Sequence, residues 1–150
     1  MNSCIDLIFY RYNNNFHILK MTINNIIITP LNWLYTQDYI IEKLQNIQKN
    51  NDATKIILYF DINNINLNTT SHDIISDFSK IIDKYITPMI DKIYGSFIFI
   101  DTNIIHLFMK TFKKMYKPLK PLFIINEDKI DDSILSDLLE NNINANEYKN

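Results

Sequence analysis

Lys55-Ile-Ile-Leu-Tyr-Phe60 is a short, nearly all-apolar run closed by Asp61. The pattern returns at Ser96-Phe-Ile-Phe-Ile100, closed by Asp101, and at Leu122-Phe-Ile-Ile125. Runs of β-branched and aromatic residues this short and this apolar suit strands buried on both faces, as in a parallel sheet covered by helices. Two amphipathic helical patterns separate them. The first carries Ile74, Phe78, Ile81, Ile82 and Tyr85 at helical spacing. The second carries Ile105, Phe108, Phe112 and Met115. The order strand, helix, strand, helix, strand predicts an α/β fold.

Upstream, Ile5–Tyr12 and Phe16–Ile28 hold β-formers, and Asn13-Asn14-Asn15 supplies a turn, so residues 5–28 read as a β-hairpin. Asn24-Asn25 marks a second turn, with Ile26-Ile27-Ile28 as a further strand. Pro30 then interrupts. Thr36 caps an expected helix over 37–49, with Tyr39, Ile40, Leu44 and Ile47 on its inner face and Trp33 as a core anchor just before it. Asp38 in its first turn and Lys49 in its last suit the helix dipole. Thr70-Ser71-His72-Asp73 resembles a capping box for the next helix. Pro88 disfavours helix at Thr87 and stops or kinks that helix. Gly95, the only glycine, is assigned to the turn into the strand at 96–100. Pro118 and Pro121 end the helix over 103–117. A short helix from Asp131 to about Glu140 has Leu135, Leu138 and Leu139 as its stripe. Residues 1–140 are expected to form a single α/β domain with a mixed, largely parallel sheet and packed helices. Residues 141–150 lack periodicity and are expected to fray.

With 47% apolar and 21% charged residues, the chain has ordinary globular composition, and its net charge of -2 gives no global basic field for nucleic acid. The skew is in 30 Ile and 21 Asn against one Gly, which fits an AT-rich genome, a viral one included. The single cysteine, Cys4, excludes an internal disulfide framework and fits a reducing, cytoplasmic setting. No apolar run reaches membrane-spanning length, and the first residues lack the basic region of a signal peptide.

Asp61 and Asp101 each follow a buried strand, so both belong at the carboxyl edge of a parallel sheet, where α/β proteins bind ligands. As a pair sharing Mg²⁺ they would suit a phosphohydrolase; an aspartate there is equally a loop starter or helix cap. His17, His72 and His106 lie far apart and have no zinc spacing. Ser71, His72 and Asp73 are consecutive and so cannot take the geometry of a catalytic triad. One glycine excludes the common phosphate loops. No cofactor, metal site or catalytic set is expected. The strongest charge feature is Lys110, Lys113, Lys114 and Lys117 on one helix face, continued by Lys120. Such a patch suits a lipid phosphate, a peripheral membrane contact or an acidic protein, and also an ordinary solvated face.

Tyr59-Phe-Asp-Ile-Asn63 is similar to the opening motif of haloacid-dehalogenase phosphatases, with Asn63 where the second aspartate would stand. Phe99-Ile-Asp-Thr-Asn103 is similar to the start of PIN-domain nucleases. A longer resemblance runs from Ile56 to about Leu139, where the order of features resembles the CRAL-TRIO lipid-binding family. Its residues are Ile57-Leu-Tyr-Phe-Asp61, Ile65-Asn-Leu67, Tyr85-Ile-Thr-Pro88, Ile93–Asp101, Phe108–Phe112 and Lys117-Pro-Leu-Lys-Pro121. That resemblance implies a non-enzymatic module with an apolar ligand between the sheet and the helices at 72–86 and 103–117 and the lysines near a headgroup. The early hairpin, the helix at 37–49, the strand at 55–60 and Leu67-Asn-Thr-Thr-Ser71 also resemble the anti-sigma-factor-antagonist (STAS) domains. That second resemblance implies a protein–protein interaction module, with Thr69, Thr70 and Ser71 at a junction that is phosphorylated in the family.

Overall fold

The computed structural model describes residues 2–24, 28–50, 54–62, 64, 72–99, 122–125 and 146–148, and in strand and helix terms it is an α/β fold. Six strands form one sheet in sequential order, β1 (Ile5–Arg11), β2 (Phe16–Ile23), β3 (Lys55–Asp61), β4 (Ile93–Phe99), β5 (Leu122–Ile125) and β6 (Asn146–Tyr148). The hairpin β1–β2 is antiparallel, β2 to β5 run parallel, and β6 returns antiparallel on β5. Two helices, α1 (Pro30–Gln48) and α2 (His72–Ile86), cross between parallel strands.

Right-handed crossovers between strands laid down in sequential order place successive helices on the same face. The core follows that rule. Leu7 of β1, Leu19 and Met21 of β2, Ile56, Leu58 and Phe60 of β3 and Ile98 of β4 form one buried cluster with Trp33, Ile40, Leu44 and Ile47 of α1 and Ile81, Ile82 and Ile86 of α2. The alternate residues Ile18, Ile57, Tyr59, Phe97 and Phe99 point to the other face and are also buried. Apolar side chains on both faces are why β3 and β4 read as nearly unbroken apolar runs.

The hairpin is held as its asparagines predict: Asn13 Oδ1 accepts from the backbone N–H groups of Asn15 (2.8 Å) and Phe16 (2.9 Å). The strand at 55–61 and the helix at 72–86 lie where their patterns place them. Pro88 acts as expected, since α2 stops at Ile86 and a 3-10 helix over Thr87–Lys92 follows.

Five details depart from the sequence reading. Helix α1 starts seven residues earlier than Gln37, because Pro30 sits at its first turn, where a missing N–H costs nothing. Thr36 is therefore a buried mid-helix residue, and Thr29 is the cap. Asp38 accordingly lies beyond the first turn, and Lys49 follows the helix as its C-cap. Gly95 lies inside β4, next to a register shift: Ile56 pairs with Ile93 and Ile57 with Gly95, leaving Tyr94 as the extra residue. Within the stretch expected to fray, Asn146–Tyr148 form a strand whose pairing with β5 no periodicity announces, and the rest of 141–150 lies outside the described residues. The expected strand at 26–28, the helices over 103–117 and 131–140 and the capping box at 70–73 fall wholly or partly outside the described residues.

Candidate functional site

Of the residues singled out for chemistry, Asp61 is described. It ends β3, pairs in register with Thr22 and Phe99, and is half-buried. Asp101 lies outside the described residues, as do Lys110, Lys113, Lys114, Lys117 and Lys120 and the Thr69, Thr70 and Ser71 junction. Among the described residues no group of three or more His, Cys, Asp or Glu is placed to hold a metal ion. No helix of the described residues is long and apolar enough to cross a membrane. His17 is buried, its ring stacked on Phe9 at 4.8 Å between centroids and its Nδ1 bonded to Thr54 Oγ1, which makes it a packing residue.

Beside the carboxyl end of β2, a polar lock joins the chain start to the first turns of α1. Thr29 Oγ1 accepts from Asn32 N (3.2 Å), and Asn32 Oδ1 accepts from Thr29 N (2.7 Å), a reciprocal cap. The same Asn32 oxygen accepts from the fully buried Cys4 thiol at 3.2 Å. Thr36 Oγ1 accepts from Cys4 N at 2.8 Å and donates to Asn32 O at 2.7 Å. Asn24 closes the group by donating from Nδ2 to Ser3 O at 3.1 Å. Every polar atom named is engaged within the fold, so this cluster holds α1 against β1 and presents no nucleophile. Trp33 extends the lock sideways: its Nε1–H donates to Asp77 Oδ2 at 3.2 Å and ties α1 to α2.

The opposite side of α1 is unusual. At about 100° per residue, Trp33, Thr36, Ile40, Leu44 and Ile47 form one stripe, and all are buried. Leu31, Leu34 and Tyr35 fall on the reverse stripe at 63%, 58% and 44% exposure. An amphipathic helix ordinarily carries polar residues there. The next residues along that stripe are Asp38 and Glu42, both exposed and one turn apart. Among the described residues neither has an ion-pair partner. The arrangement is an apolar platform of little more than one turn, Leu31 to Tyr35, followed by two exposed carboxylates. The sequence reading missed it because the helix was started at Gln37. A helix begun at Thr29-Pro30 would have set Leu31, Leu34 and Tyr35 opposite Trp33 and Ile40.

Two other large apolar side chains, Ile8 (55%) and Tyr94 (46%), are exposed on the other side of the sheet. Ile8 pairs in register with Lys20, and Tyr94 packs edge-on against Phe16 at 5.1 Å between centroids. They are separated by β2 and β3 and make no continuous platform. In comparisons with known proteins, no family model, no curated protein and no solved structure matches the chain.

Proposed function

We propose that the chain is a non-enzymatic protein-binding module, STAS-like in its organisation, whose contact face is the outer stripe of α1. The observation that carries this reading is the trio Leu31, Leu34 and Tyr35 held in solvent on a helix whose inner face is rigidly packed. Exposed apolar groups clustered on a stable element mark interaction surfaces, whereas single exposed residues do not. Asp38 and Glu42 add the charge preference. The partner is a protein segment with apolar anchors at helical spacing and Lys or Arg at one end, a basic amphipathic helix. The early hairpin feeding parallel βαβ units in sequence supports the STAS-like organisation.

The lipid-binding alternative has less support. Its headgroup lysines lie outside the described residues. Its expected ligand site, between the sheet and the helices at 72–86 and 103–117, also lies partly outside them. The phosphohydrolase reading needs Asp101 beside Asp61, and Asp61 alone offers no acid–base pair. Regulation at Thr69–Ser71 stays part of the proposal, because α2 starts at the next residue and is bound to α1 through Trp33 and Asp77.

The test is a display selection of 20-residue random peptides against the whole chain. Selected peptides are expected to carry apolar residues at helical spacing with a basic end, and to lose binding to the Leu34→Glu/Tyr35→Glu variant. Peptides that bind this variant as well as the parent would place the contact elsewhere and refute the assignment.

A further inference from the structure

We propose that Ser3 and Tyr39 seal the open edge of β1 against strand addition by a second copy of this chain. The hydrogen-bond parity of the hairpin defines that edge. Asn24 N donates to Cys4 O (2.9 Å) and Tyr12 N to Phe16 O (2.9 Å), so Cys4 and Tyr12 stand in hydrogen-bonded pairs. Antiparallel pairs alternate, so Asp6, Ile8 and Tyr10 also bond to β2, while Ile5, Leu7, Phe9 and Arg11 turn their backbone groups outward. Among the described residues β1 is the first strand of the sheet, so these groups face away from every other described strand.

An outward row of N–H and C=O groups is a template for another chain. Here a side-chain hydroxyl occupies each of the first two positions. Ser3 Oγ accepts from Ile5 N at 3.2 Å and donates to Ile5 O. Tyr39 Oη accepts from Leu7 N at 3.3 Å and donates to Leu7 O at 3.4 Å. Each hydroxyl meets the N–H and the C=O of one residue as the facing residue of an added strand would, the Ser3 hydrogen having Thr36 Oγ1 as a second, longer acceptor at 3.4 Å. Tyr39 belongs to α1, so the same helix that caps the chain start also covers the strand edge. Ile8, exposed on this strand, gives an uncovered edge an apolar side chain to pair through. A second copy is the natural occupant, since two identical β1 edges can pair antiparallel about a two-fold axis.

The experiment compares the full chain with Tyr39→Phe and with Ser3→Ala/Tyr39→Phe. Sedimentation velocity is run over a hundredfold concentration range, with amide exchange read at Ile5 and Leu7. The parent is expected to show no association through β1. The double variant is expected to dimerise with rising concentration, and Ile8→Lys added to it, placing like charges across the pair, to restore the monomer. Tyr39→Phe keeps the ring, so it tests the seal even where the double variant does not fold: its Leu7 amide is expected to exchange at least tenfold faster in dilute monomer. Unchanged Leu7 exchange in Tyr39→Phe would overturn the proposal. A folded double variant that stays monomeric across the range would overturn it, as would a parent that already dimerises through β1.

Discussion

Thr36 is a β-branched polar residue in the middle of a helix, a position its propensity disfavours, and it is fully buried. It is tolerated because its hydroxyl bonds back to Asn32 O one turn earlier and simultaneously receives Cys4 N. Thr36→Val keeps the shape and strands the Cys4 N–H in a buried site. Leaving a buried donor unsatisfied costs about 1–3 kcal/mol. Urea unfolding is expected to show a loss of that size, and Thr36→Ser, which keeps the hydroxyl, is expected to retain most of the stability. A loss equally large in Thr36→Ser would mean that the methyl group, rather than the hydrogen bonds, holds the site. Thr36 was legible only as a capping type; its partners Ser3 and Cys4 lie more than thirty positions away and leave no local trace.

Helix α1 shows how a start signal is misread. Pro30 looks like an interruption when the chain is read forwards, yet at the first turn proline is favoured. The capping box was hidden because Asn32 takes the place usually filled by Glu or Gln. Thr29→Ala is expected to cost about 1 kcal/mol in equilibrium unfolding. Adding Asn32→Ala should cost less than the sum of the two single losses, since both side chains serve one reciprocal cap. Strict additivity in that double-mutant cycle would deny the box. The inner stripe was easier to read, because Ile40, Leu44 and Ile47 repeat at helical spacing. Leu44 is fully buried against the sheet and α2, so Leu44→Ala is expected to lose about 2–5 kcal/mol in the same unfolding measurement. A loss below that range would mean that the site collapses around the deletion.

At the scale of the whole molecule, the α/β class followed from three apolar runs and the helical patterns between them, because strands buried on both faces leave that signature in any sequence. The sheet order did not follow, since strand pairing is non-local, and β6 is too short to announce itself. The candidate site was the least legible part. Exposed Leu31, Leu34 and Tyr35 look like core residues until the helix phase is known. The separation of stability from binding follows directly: Leu34→Glu/Tyr35→Glu touches only solvent-facing positions and should change stability by no more than about 0.5 kcal/mol per site. A larger loss in thermal or urea unfolding would show that the outer stripe serves the fold. The most direct measurement is site-specific photo-crosslinking from position 34 in cells expressing the chain, with the crosslinked peptide sequenced by mass spectrometry. The account predicts one dominant crosslinked segment, apolar at helical spacing with a basic end, and a yield at least tenfold lower with Asp38→Lys/Glu42→Lys. Diffuse crosslinks without a dominant segment, or a dominant one indifferent to that charge reversal, would contradict it.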